Sequence, residues 1–137
     1  MEPVWQTDSA FTTLIHGDVW SNNIMVHRPE ESPESTGAPE GKLIDFGNSY
    51  IMHPAYDVLY FLYTSTDRSF RRSHFDALLR SYFDTFSTYF SGGGGGDDDL
   101  SYDKFKKEAE ELREGVMIFS LTVRLYRVIH QVMGNVL

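Results

Sequence analysis

The chain has 137 residues, 41% hydrophobic and 15% aromatic, which excludes a disordered protein and suits one domain with a modest core. Its net charge of −8 argues against a nucleic-acid surface built on phosphate neutralisation, and the lack of cysteine excludes disulfide and thiolate chemistry. Residues 1–15 lack the basic-then-apolar pattern of a secretory signal. The most apolar stretch, Val116 to Val123, stops at Arg124, short of the roughly 20 residues that span a bilayer. The expectation is a cytoplasmic protein with no membrane span and no nucleic-acid partner.

In chain order, residues 1–10 read as an irregular lead-in, and Phe11 to Ile15 as either the end of a helix or a short strand. Ile24 to His27 reads as a strand by its β-branched content. Arg28 to Gly41, broken by Pro29, Pro33, Gly37 and Pro39, reads as a solvated loop. Lys42 to Phe46 would then be the partner strand of a hairpin with a long tip. Pro54 suits the first turn of a helix running to about Thr64, with Val58, Leu59, Phe61 and Leu62 on its buried face.

Ser73 and Asp76 have capping-box spacing. The apolar positions 75, 78, 79, 82, 83, 86, 89 and 90 that follow predict an amphipathic helix. Residues 91–100, glycine-rich and then acidic, read as a flexible linker. They lack the alternating acids of a calcium loop. Ser101 caps a polar helix, and after Gly115 a further helix, from Val116 to about Met133, is apolar nearly all round. Such a helix is expected to be buried in a larger protein. Arg124 and Arg127 share a face of it, facing either an acidic cleft or an ion-paired edge.

The chemistry is concentrated in two short runs. His16-Gly17-Asp18-Val19-Trp20-Ser21-Asn22-Asn23 is flanked by apolar residues on both sides, and Leu43-Ile44-Asp45-Phe46 ends a second apolar run. Phosphoryl transfer needs an acceptor-hydroxyl base, Mg²⁺ and strict positioning. Asp18, five residues before Asn23, can put a base and a metal-binding carbonyl on one loop. Asp45 supplies the charged oxygen that Mg²⁺ favours. His16 would brace the loop by side-chain hydrogen bonds rather than shuttle protons. The bland alternatives are an Asx turn at Asp18 and a turn start at Asp45. His27, His53, His74 and His130 have no metal-ligand spacing.

HGDVWSNNIM followed by LIDF resembles the aminoglycoside-phosphotransferase and choline-kinase group. It is most similar to the ecdysteroid-kinase-like (CHK kinase-like) family, whose PxxDLxYFL helix appears here as Pro54-Ala55-Tyr56-Asp57-Val58-Leu59-Tyr60-Phe61-Leu62. The resemblance continues through Phe75 to Leu79 and Tyr82. Two departures stand out: Gly47 replaces the family's usual Gln, and the run Gly92 to Asp99 has no family counterpart.

The resemblance implies Asp18 as catalytic base and selects Asn23 over Asn22 as a Mg²⁺ ligand. It makes Asp45 the second Mg²⁺ ligand, bridging to the phosphates of ATP. Asp57 would accept hydrogen bonds from the catalytic loop's backbone or from His16, with helix-dipole stabilisation as its plainer role. Trp20 either packs beneath the loop or lines the acceptor pocket.

The fold expected is α+β and mostly helical, the C-terminal-lobe part of a protein-kinase-like fold: a catalytic-loop β-hairpin, then about four helices. Only fifteen residues precede His16, so the ATP-covering N-lobe of the resembled kinases is expected to be missing. The function expected is an ATP-dependent phosphotransferase acting on a small-molecule hydroxyl acceptor, a steroid or other lipophilic alcohol before choline or an aminoglycoside. The rival is a truncated, non-catalytic fragment or pseudokinase serving as a binding module. A metal-dependent hydrolase using Asp18 and Asp45 is remote, because no His cluster accompanies them.

Overall fold

The structure is a computed structural model. It describes residues 9, 11–28, 37–90 and 100–134. Most of the anticipated loop tip after Arg28 and all but Leu100 of the anticipated 91–100 linker lie outside the described residues. Two small antiparallel sheets precede three α-helices, which together hold more than half of the described residues.

The first sheet pairs β1 (Thr13–Ile15) with β4 (Tyr50–Met52), Leu14 facing Ile51 and Ile15 facing Tyr50. Side chains alternate across it. Ile15 and Met52 point into the core, while Leu14 and Ile51 are exposed. Phe11 to Ile15 therefore ends in a strand, and its partner β4 went unread because three residues are too few for alternation to show. The second sheet is the expected hairpin, β2 (Ile24–His27) with β3 (Glu40–Leu43). The partner strand begins and ends earlier than Lys42–Phe46. The register puts Ile24 opposite Leu43, and Asp45 breaks the strand by taking a left-handed conformation at φ 64°.

Helix α1 (Ala55–Ser65) starts where Pro54 predicts. His53 caps it twice: its Nδ1 accepts the Ala55 N–H at 3.1 Å and its carbonyl accepts the Tyr56 N–H at 3.0 Å. The buried face is wider than expected. Tyr56, Tyr60 and Tyr63 join Leu59 and Leu62, while Val58 and Phe61 are only half-buried.

Helix α2 (Arg68–Phe90) starts five residues before Ser73, the first of the Ser73–Asp76 pair. The cap is Asp67, whose Oδ1 accepts the Phe70 N–H at 2.7 Å. Ser73 lies inside the helix. Phe75, Leu79 and Phe83 are buried, and Tyr82 and Phe86 pack beside them, so the predicted stripe holds over its central turns.

The largest departure is α3 (Tyr102–Gly134). Sequence reasoning gives two helices broken at Gly115; the structure has one of 33 residues. That makes three α-helices among the described residues rather than about four. Ser101 caps it as expected, accepting the Lys104 N–H at 3.3 Å. Glycine costs a helix only about 1 kcal/mol. The stripe Phe105, Ala109, Leu112, Val116 and Ser120 runs past Gly115 and packs on α1, which outweighs that cost. Beyond Ser120 the apolar side chains, among them Leu125 and Val132, are exposed within this chain.

The core is aromatic. Phe105 is fully buried, its ring 5.3 Å from Phe11, 5.0 Å from His53 and 5.2 Å from Phe83. Burial lowers the His53 pKa from its ordinary 6.5 to about 4. Its Nε2 has no hydrogen bond and lies 3.4 Å from the Glu108 carboxylate.

Two predictions follow from this packing. Phe105→Ala opens a cavity at the meeting point of β1, α2 and α3, and should lower unfolding free energy by about 3–5 kcal/mol in urea titration. In the unfolded chain His53 binds a proton below its ordinary pKa, 6.5, whereas in the folded core it does so only below about 4. Its contribution to stability is complete above pH 6.5 and is lost as pH falls towards 4. Against a His53→Gln variant, the wild-type stability should therefore decline more steeply across that window; parallel pH profiles would contradict the burial effect.

Candidate active site

The loop from His16 to Asn23 is held between α1 and the hairpin, and each hold has an identifiable donor and acceptor. Asp57, in the first turn of α1, accepts the His16 N–H on Oδ2 at 2.7 Å and the Gly17 N–H on Oδ1 at 2.9 Å. Burial raises the Asp57 pKa, and those two N–H groups act against the rise by favouring the charged form.

His16 is 4% exposed and clamps the loop from its other side. Its Nδ1 accepts the Asp18 N–H at 3.3 Å, so Nε2 carries the proton and donates to the Ile44 carbonyl at 2.9 Å. Its ring lies 4.6 Å from that of Phe46. His16 thus joins Asp18 to the backbone immediately before Asp45.

Gly17 turns the chain at φ 79°, and a Cβ there would sit 2.2 Å from the Asn48 carbonyl oxygen. No side chain fits this position without moving backbone.

Asn23 is buried in a short 3₁₀ turn, Ser21–Asn23. Its Nδ2 donates to the Asp18 carbonyl at 3.0 Å and to Asp18 Oδ2 at 3.2 Å. Its own carbonyl accepts the Ile44 N–H at 3.0 Å. The structure therefore brings Asp18 and Asn23 into direct contact. Asp45 is tied to them through the backbone of Ile44, and its own side chain is exposed. With the Asn23 amide nitrogen turned to Asp18, the amide oxygen is left for a cation. An amide oxygen and a carboxylate are the hard donors Mg²⁺ accepts, with waters and phosphate oxygens completing its shell. Among the described residues no cluster of three or more His, Cys, Asp or Glu is placed to hold a metal.

Two partners of Asp18 were missed or left open by sequence reasoning. Tyr60 donates its hydroxyl to Asp18 Oδ1 at 2.8 Å. Burial, and then that bond, raise the Tyr60 pKa, so it stays a protonated donor. A signal was available: Tyr60 lies three residues after Asp57, on the same face of α1. Arg127 resolves as an ion-paired side chain, its Nη2 reaching Asp18 at 2.9 and 3.1 Å. Its guanidinium lies 3.7 Å over the Trp20 ring. Trp20 thus packs against α3, with its Nε1 buried and unbonded.

Asp18, Tyr50, Tyr56, Tyr60, Phe119 and Arg127 line a cavity of about 350 Å³. A second cavity, of about 670 Å³, adjoins it through the shared walls Tyr50, Tyr56 and Phe119. Met52, Leu112, Val116 and Ile118 make its lining largely apolar, and Glu111 is its one charged residue. Among the described residues no helix is long and apolar enough to cross a membrane.

A His-Gly-Asp loop with a buried histidine, clamped by a helix carboxylate and joined to an Asp-Phe-Gly turn, defines the C-terminal-lobe class of kinase-like folds. The model of the ecdysteroid kinase-like family matches residues 1–91, which takes in the loop, both sheets, α1 and α2, and the chain belongs to that family. No curated protein and no solved structure matches it significantly.

The site's backbone geometry makes one prediction. Gly17→Ala requires a left-handed alanine and displacement of the Asn48 carbonyl, and should cost at least about 1–3 kcal/mol in thermal or urea unfolding. A cost below a few tenths would mean the loop relaxes freely.

Proposed function

We propose that the chain carries the acceptor side of an ATP-dependent phosphotransferase that moves the γ-phosphoryl to a small-molecule hydroxyl. The observation that carries this reading is the joining of Asp18, Asn23 and Asp45 into one unit by His16 and Ile44. Family membership supports it from the sequence side.

Asp18 faces the smaller cavity and is the base that takes the acceptor hydroxyl's proton. Asn23 and Asp45 would hold Mg²⁺, which supplies charge neutralisation at the phosphates when bound. His16 and Asp57 position the loop without touching the reacting atoms. The apolar cavity next to Asp18 favours a lipophilic alcohol, a steroid being one such shape, over choline or an aminoglycoside.

One observation favours the rival reading of a non-catalytic binding module: the Asp18 carboxylate already has side-chain donors on both oxygens. Incubation with Mg·ATP and a panel of sterols and amino alcohols separates the two. Phosphorylated product from the sterols, falling about 10²–10⁴-fold in Asp18→Ala, is the expected result. Absence of any nucleotide-dependent thermal shift at millimolar Mg·ATP would leave the binding-module reading standing.

A further inference from the structure

The Asp18 carboxylate is saturated. Its Oδ1 accepts the Tyr60 hydroxyl at 2.8 Å and Arg127 Nη2 at 2.9 Å; its Oδ2 accepts Arg127 Nη2 at 3.1 Å and Asn23 Nδ2 at 3.2 Å. A carboxylate offers about four lone-pair positions, so none is left for an incoming hydroxyl. One donor has to leave before Asp18 can act as a base.

The three donors differ in how firmly they are held. Tyr60 is 1% exposed inside α1, and Asn23 is 7% exposed and bonded to the loop by its backbone. The Arg127 side chain is 31% exposed. It lies two turns beyond Ser120, the last buried residue of α3 among those described. Its other described contact is the Trp20 face, a surface along which a planar guanidinium can slide while staying stacked.

We propose that Arg127 is a displaceable positioning residue, holding the acceptor hydroxyl's place on Asp18 and latching the distal half of α3 over the cavity until the acceptor displaces it. This rests on the reading of Asp18 as the base. Tyr60 and Asn23 remain bonded throughout and keep the carboxylate oriented. Arg127 moves off along Trp20, freeing lone pairs on the side that faces the cavity. The 109 residues between the two partners make this pair a direct tie between the loop and the end of α3.

The test uses the full chain and two readouts. Arg127→Met keeps an apolar stem over Trp20 and removes the donors. Hydrogen exchange of amides 121–134 should then quicken several-fold, with α1 unchanged and protection partly restored in Arg127→Lys. The second readout is hydrolysis of Mg·ATP, with water as the acceptor. The water oxygen bonds to the γ-phosphorus, the bond from that phosphorus to the β-bridging oxygen breaks, and the water proton passes to Asp18 as ADP leaves. Arg127→Met should raise this rate several-fold, and Arg127→Lys should return it towards wild type. A purely structural arginine would only lower it.

Unchanged exchange at 121–134, exchange rising equally in α1, or a fall in hydrolysis would each overturn the proposal. Were ATP neither bound nor hydrolysed by any variant, the phosphotransferase reading would fail by itself. Exchange confined to 121–134 would still establish the latch.

Discussion

Everything at the site depends on one carboxylate that does no chemistry. Asp57 accepts two consecutive backbone N–H groups from a turn no ordinary residue could make. Consecutive amides converge on one anion only when the chain curls, and Gly17 at φ 79° provides the curl. The helix that carries Asp57 thereby fixes where Asp18 begins. His16, from the far side, fixes where the turn before Asp45 begins. The two clamps meet at His16, whose N–H goes to Asp57 and whose ring holds Asp18 and Ile44, so a shift in α1 moves the candidate base and the candidate metal ligand together.

The aromatic core explains why α1 can serve as that reference. Tyr56, Leu59, Tyr60 and Leu62 are buried against α3, which supplies a long stripe of small and large side chains in turn. Phe105 gathers Phe11, His53 and Phe83 around one ring, joining the turn that leads into β1, the α1 cap and α2 at a single point. His53 takes part twice, as a helix cap and as a core ring, and that double use keeps it neutral. Tyr60 and Tyr63 of α1 each present a ring to the core and a hydroxyl to a polar partner. In Tyr60 that hydroxyl reaches Asp18; in Tyr63 it accepts the Arg113 Nε–H at 2.8 Å.

How much of this could be read beforehand depended on the range of the contact involved. The hairpin, α1 and the central stripe of α2 were legible because each is written in local periodicity. The positions of Asp18, Asn23, Asp45 and Asp57 were legible because ordered motifs fix their spacing. Strand β4 was not, being three residues long and paired with a segment 35 or more positions away. The start of α2 was missed because Ser73 offered a plausible cap, while the true cap, Asp67, precedes a polar turn with no apolar rhythm. Gly115 was read as a break by propensity, and tertiary packing overrode it. The apolar face beyond Ser120 is legible as apolar, but composition cannot say which surface meets it. The meeting of Tyr60 and Arg127 at Asp18 was harder to read, since it joins segments 42 and 109 positions apart.

Those separations bear on the order of folding. Ser9 bonds Glu108 across 99 positions, and Phe11 packs on Phe105, so the first strand finds its environment only after the last helix exists. Contacts that close such long loops form late and slow a domain's search for its native state. A ribosome delivers the His-Gly-Asp turn well before its α3 partner, 109 positions further on. Over that stretch of synthesis the nascent loop lacks the surroundings that give it shape.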